Sequence, residues 1–157
     1  MVELVRILNN ELKAAFKMHR QGFMPTFKKY HDRINPIFMP YKKFLSYHKN
    51  PSMQMFWIIS DSLRVGQIWI GIKGDSARLA RIFVLPEFQN QGIAQQAIRI
   101  AENLYPEPKR WQLDTIKQEK NNCHLYEKMG YRTTGSEQMI NKRMTIINYE
   151  KGGVCNE

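Results

Sequence analysis

The sequence predicts a single α/β domain built on a mixed, mostly antiparallel sheet flanked by helices. Three observations lead there. Residues 53–60, 64–73 and 77–84 are β-prone runs separated only by turn-forming residues, so they follow one another as antiparallel strands. A helix-length segment from Gly92 then separates the third run from the next, at 111–116. Two strands joined through a whole helix take a right-handed, parallel crossover. The chain closes with two further runs, 131–138 and 143–149, that read as a last hairpin. At 157 residues and 43% hydrophobic content, one such domain buries a core without disulfides or metals.

In chain order, residues 2–8 read as the first strand. Asn9 or Asn10 is placed to cap the helix that follows, and Glu11 suits its first turn. Leu12, Ala15, Phe16 and His19 face inward, and Gly22 is expected to end that helix. From 23 to 50 the chain reads as irregular, rich in aromatics and methionine and broken by Pro25, Pro36 and Pro40, with Pro40 starting a short helix over 41–48. Asp61, Ser62 and Leu63 join the next two strands, and Gly74 with Asp75 turns the chain into the third. Asn121 or Asn122 caps a late helix closed by Gly130, and residues 151–157 are expected to form a flexible C-terminal tail beyond a domain spanning 1–150.

Composition narrows the class. A formal charge of +10 implies attraction to anions: nucleic acid, acidic lipid or a phosphorylated cofactor. The cations stand in scattered pairs such as Lys28-Lys29, Lys42-Lys43 and Lys142-Arg143, which suits a solvated surface better than specific nucleic-acid binding. Cys123 and Cys155 form no CxxC or disulfide-like framework, and no stretch has the length of a membrane span or the apolar core of a secretory signal. These features point to a cytoplasmic chain. The four histidines show no metal-ligand spacing, and Cys123 beside His124 points about 100° away from it on a helix, so neither a metal centre nor a Cys–His nucleophile is expected.

The stretch from Arg81 to Arg99 is the most informative. Arg81, Ile82, Phe83, Val84 and Leu85 end a strand that Pro86 stops, and Gly92 opens a helix with Ile93, Ala94, Ala97, Ile98, Ala101 and Leu104 on one face. First-turn N–H groups have no intrahelical acceptor, and no acidic residue lies between Gln89 and Ala94 to compete for them, so the turn suits a phosphate. Spacing alone also fits an ordinary strand-to-helix connection. Neither GxGxxG nor GxxxxGK[ST] is present, so a Rossmann site and a P-loop are unsupported.

The pattern Q-x-x-G-x-A after a strand ending Val-Leu-Pro resembles the acetyl-CoA loop of the GNAT superfamily of N-acetyltransferases. Leu125-Tyr126-Glu127-Lys128-Met129-Gly130-Tyr131 resembles the end of that family's late helix, and the order of the two motifs also fits. The resemblance implies acetyl-CoA as acetyl donor and a primary amine of a small molecule or protein as acceptor. It implies a diphosphate held by backbone N–H groups of Gln91, Gly92, Ile93, Ala94 and Gln95, with Gln89 ordering the turn. It further implies a thioester arm beside the main chain of Phe83 and Val84 and between two splayed strands, and Tyr126 as general acid. Asn121 and Asn122 are candidates for the pantetheine amides, although Glu119 stands where the family more often has asparagine. The segment after the first strand forms one acceptor wall in the family, which makes Phe27, Tyr30 and Asp32 the candidate acceptor residues. Asp32 can pair with Arg33 or receive a cationic amine. Asp114, Asp32 and Glu87 are the available bases, and a homodimer is expected by analogy. The alternatives are the same fold with another acyl-CoA, or a non-catalytic basic module that binds coenzyme A or nucleic acid.

Overall fold

The structure, a computed structural model, describes residues 1–152. Strands β1 (Val2–Arg6), β2 (Met53–Ser60), β3 (Leu63–Lys73), β4 (Ser76–Val84), β5 (Arg110–Ile116), β6 (Arg132–Asn141) and β7 (Met144–Gly152) form one sheet in the order β1-β2-β3-β4-β5-β7-β6. Every pair is antiparallel except β4 with β5. That one parallel contact is the crossover expected from the intervening helix. Helices α1 (Leu12–Tyr30) and α2 (Tyr41–Lys49) cover one face, and α3 (Ile93–Leu104) and α4 (Lys120–Lys128) the other. None of them is long and apolar enough to cross a membrane.

Two covered faces explain why β2 and β3 read as continuous apolar runs rather than alternating ones. Phe56 and Ile58 of β2 pack with Ile68 and Ile70 of β3 on the α3 face. Met55, Trp57 and Trp69 pack with Ala15 and Phe44 on the α1–α2 face. The hairpin between them turns on Asp61 and Ser62, both at positive φ (48° and 69°), as a two-residue primed turn requires. Leu63 belongs to the strand, paired with Ser60.

The sequence reading is corrected in several places, one of them the late helix α4, where Glu119 and neither Asn121 nor Asn122 stands at the N-cap. Neither Asn9 nor Asn10 caps α1; a 3₁₀ turn precedes it, and the Glu11 carboxylate accepts from the Leu8 N–H at 2.9 Å and from Trp57 Nε1 at 3.1 Å. Helix α1 does not stop at Gly22 but continues past Pro25 to Tyr30, ending where His31 takes φ 53° and its N–H reaches Phe27 O. Aromatic packing overrides local propensity here: His19 stacks on Trp69 at 4.8 Å, and Phe23 meets Phe83 edge-on at 5.3 Å. The irregular segment therefore shrinks to 31–40, interrupted by a 3₁₀ turn at Pro36–Phe38. Leu104 is half exposed at the last position of α3, and Tyr105 packs on the core in its place. Strand β7 extends through Gly152, so Lys151 and Gly152 belong to the sheet rather than to a tail; Cys155 and the rest of 153–157 lie outside the described residues.

Gly22 is in the helix because of its neighbour. A Cβ there would stand 2.2 Å from a ring carbon of Phe83, a buried side chain held by His19 and Phe23. Gly→Ala inside a helix ordinarily stabilises by about 1 kcal/mol. Gly22→Ala is expected to destabilise instead, by roughly 1–3 kcal/mol, because overpacking displaces the Phe83 ring. A urea midpoint at or above that of the wild type would contradict this contact.

Candidate active site

Strands β4 and β5 pair over only three positions, Ser76 with Arg110, Ala77 with Trp111 and Arg78 with Gln112. Beyond them the strands part, and a cavity of about 1100 Å³ opens, lined by β4, β5, α1, α4 and the loop that starts α3. The splay that the resemblance implied is therefore present.

The loop from β4 to α3 is set by two left-handed residues, Asn90 (φ 63°) and Gly92 (φ 76°), with Gly92 as the N-cap. The first helical bond runs from Gln96 N–H to Gly92 O at 3.1 Å. Among the described residues the N–H groups of Asn90 through Gln95 have no hydrogen-bond acceptor. Gln89 donates from Nε2 to Val84 O at 2.9 Å and so ties the loop to the strand end. A side chain at Gly92 would meet nothing closer than 3.9 Å, so the glycine serves the backbone angle and leaves the amides open. Six successive amides at the positive end of a twelve-residue helix, with no carboxylate beside them, fit a diphosphate. The cavity that continues from them between the strands fits an extended arm. Coenzyme A therefore suits the residues present.

Register assigns different parts to Phe83 and Val84. Leu85 N–H donates to Val65 O at 2.8 Å, and Phe83 stands opposite Gln67, so the main chain of these odd-numbered residues faces β3. Val84 has its carbonyl held by Gln89 on the other side, and alternation turns its N–H, with that of Ile82, into the gap. Phe83 contributes its buried ring to the cavity wall.

Tyr126 reaches the cavity from α4, 6% exposed, edge-on to Tyr131 at 6.2 Å. Three other buried tyrosines each commit their hydroxyl to a carboxylate: Tyr131 to Glu102 at 2.8 Å, Tyr149 to Glu127 at 2.7 Å and Tyr30 to Glu119 at 2.7 Å. Among the described residues the Tyr126 hydroxyl has no such partner. Burial, with a smaller contribution from Cys123, pushes its pKa up to about 12. It is a phenol that stays protonated and whose proton is not already shared.

The remaining candidates separate into those on the cavity wall and those behind it. Asn121 and Asn122, in the first turn of α4, line the cavity and are exposed. Glu119 caps α4 and accepts from Lys29 Nζ and Tyr30 Oη, both at 2.7 Å. Burial works to raise the pKa of Glu119, and these two donors outweigh it and hold it below the ordinary value. The departure from asparagine thus places an α1–α4 tie at this corner. Asp32 lines the cavity, 3% exposed, and accepts from Asn35 Nδ2 at 3.2 Å; it forms no ion pair with Arg33 among the described residues. Tyr30 lies behind the wall, and Phe27 packs on Phe38 at 5.2 Å and on His31 at 5.7 Å. Asp114 is ion-paired with Arg78 and accepts from Asn148 Nδ2 at 2.8 Å, and Glu87 is exposed in the loop after β4. The sequence reading missed Arg81, whose side chain lines the cavity. Its only signal was a cation inside an apolar strand end.

Comparison with known proteins agrees with this geometry. Residues 17–152 match the family described as "Acetyltransferase (GNAT) domain", and the chain belongs to that family, whose acetyl donor is acetyl-CoA. Among solved structures, it is similar to the PaiA N-acetyltransferase of Thermoplasma acidophilum in complex with coenzyme A. That likeness has a TM-score of 0.76 at 17% identity and covers 97% of this chain and 99% of that one. It is also similar to the ribosomal-protein-S18-alanine N-acetyltransferase of Escherichia coli, with TM-score 0.79, 15% identity, and 100% and 97% of the two chains covered. A third is the spermidine N-acetyltransferase of Vibrio cholerae in complex with CoA and spermine, with TM-score 0.76, 17% identity, and 97% and 95% covered. No curated protein matches in sequence. At these identities the structural likeness is one of fold.

Proposed function

We propose that this GNAT acetyltransferase moves the acetyl group of acetyl-CoA directly to a primary amine of a small molecule or a protein, with Tyr126 as the proton donor. The observation that carries the reading is the row of unpartnered amides from Asn90 to Gln95 at the mouth of the β4–β5 gap. When bound, acetyl-CoA supplies an activated thioester. The amides of Gln91, Gly92, Ile93, Ala94 and Gln95 hold the diphosphate, and Gln89 fixes the turn. Asn121, Asn122 and the edge formed by Phe83 and Val84 hold the arm. The Val84 N–H, turned into the gap, donates to the carbonyl oxygen as charge develops there. Tyr126 holds a proton at Oη for the departing thiolate.

The amine enters from the α1 side, where Asp32 stands on the wall with Tyr30 and Phe27 behind it. No carboxylate lies on β4, Asp114 is tied to Arg78, Asp32 is held by the Asn35 amide and Glu87 lies off the cavity wall, so the amine gives up its proton to solvent rather than to a dedicated base. The enzyme works in the cytoplasm, and two copies pair through the sheet edge or the C-terminal strands.

The test is thiol release from acetyl-CoA across a panel of primary amines, with Gly92→Ala alongside the wild type. Release that depends on amine is expected. A Cβ at φ 76° costs about 1–2 kcal/mol, so the variant should bind coenzyme A roughly tenfold more weakly. Amine-independent release, or a Gly92→Ala titration identical to that of the wild type, would contradict the reading.

A further inference from the structure

The acceptor side of the cavity carries a cation that the acetyl-transfer reading does not use. Strand β4 has a bulge: Arg81 pairs with Trp69 and Leu79 with Ile70, leaving Ala80 as the extra residue. Past it, the Arg81 side chain lies on the α1–α2 face, its guanidinium 5.9 Å from the centre of the Trp69 ring. Nη1 donates to Ala80 O at 2.8 Å, while Nε is shielded from solvent and has no partner among the described residues.

Among the described residues no neighbouring carboxylate serves this charge. Among the described residues Arg81 forms no ion pair, and the other acids of the cavity wall are engaged: Asp114 with Arg78, Glu119 with Lys29 and Asp32 with the Asn35 amide. His19, next to Arg81 in the aromatic cluster, is neutral, and Tyr47 on the same wall is a phenol. A half-buried guanidinium without a counter-charge is costly, and its planar fork matches a carboxylate or a phosphate in two parallel hydrogen bonds. The coenzyme A diphosphate has its own site at the start of α3, which packs on the opposite face of the sheet.

We propose that Arg81 is an acceptor-anchoring residue, and that the acceptor carries a carboxylate or a phosphate beside its primary amine. This rests on the acetyl-transfer reading and narrows its substrate class. A polycation of the spermidine kind would bring like charge to Arg81 and is expected to be a poor acceptor.

The experiment pairs amines that differ only in the anion: amino acids against their amides for the carboxylate, phosphoethanolamine against ethanolamine for the phosphate, with spermidine as the cationic control. Wild type, Arg81→Gln and Arg81→Lys are compared, and coenzyme A binding is followed by calorimetry. The wild type should favour one anion-bearing member by tenfold or more in kcat/KM. In Arg81→Gln that preference should vanish through a rise in KM of roughly tenfold to a hundredfold, the range for a charge-assisted bond. Coenzyme A affinity should be unchanged, and Arg81→Lys should retain part of the preference. A purely structural arginine would instead lower activity on every amine alike, and that result would overturn the proposal. So would a wild type that prefers spermidine or the neutral member of each pair. If coenzyme A binds and amines are acetylated without regard to charge, only the Arg81 assignment falls. If coenzyme A does not bind at all, the acetyl-transfer reading falls and takes this proposal with it.

Discussion

Tyr126→Phe is expected to lower kcat by about 10²–10⁴-fold, the range for loss of a positioned general acid. Coenzyme A affinity should stay within about twofold, because the ring and its packing on Tyr131 and Tyr149 remain. The expectation comes from the contrast among the tyrosines: Tyr30, Tyr131 and Tyr149 each spend their proton on a glutamate, and Tyr126 does not. The pH profile follows from the same burial. With the phenol pKa pushed up to about 12, Tyr126 stays protonated throughout the range in which a primary amine loses its proton. The rate should climb with amine deprotonation and show no downturn up to about pH 10. A downturn near pH 8 or 9, or a Phe variant with wild-type kcat, would remove the acid assignment. Stability runs the other way: between pH 10 and about 12 the unfolded chain gives up a proton that folded Tyr126 keeps, so stability falls as pH rises through that window.

His19 carries the second large effect, at acid pH. Its ring is fully buried between Trp69, Phe23, Phe44 and Phe83, and among the described residues neither nitrogen has a partner. Burial first, and the nearby charge of Arg81 second, bring its pKa down to about 3. Below pH 6.5 the unfolded chain binds a proton that folded His19 refuses. The stabilisation is therefore whole above 6.5 and is lost as pH falls towards 3, with a limit on the order of 5 kcal/mol. That is comparable to the whole stability of many domains, about 5–15 kcal/mol. His19→Phe keeps an aromatic on Trp69 and removes the titration. Urea midpoints at steps from pH 7 to 4 should show the wild type losing stability faster than the variant, and parallel slopes would contradict a neutral His19.

The loop proposed to hold the cofactor was legible because backbone chemistry writes itself into sequence. Gly92 marks a positive φ, the absence of acids from Gln89 to Ala94 marks open amides, and Gln89 did tie the loop to the strand end. The crossover was legible too, since a helix between strands leaves little other choice. Helix α1 was not: Gly22 and Pro25 both signal a break, and only the rings of Phe83 and Trp69, distant in sequence and packed on Phe23 and His19, show why the helix continues. Arg81 was hidden for a different reason. Its direction depends on the bulge at Ala80, and a one-residue irregularity reverses which face every later side chain takes. Glu119 read as a defect in the family pattern, whereas its partners Lys29 and Tyr30 lie about ninety positions earlier in the chain.

The central claim is that the amides after β4 cradle the diphosphate of coenzyme A. It is tested most directly by titrating coenzyme A into the ¹⁵N-labelled protein and following each backbone amide by NMR. The account predicts saturable shifts concentrated at Gln91 to Gln95 and at Ile82 and Val84 along the open edge of β4. Saturable binding that leaves those amides unmoved would contradict it.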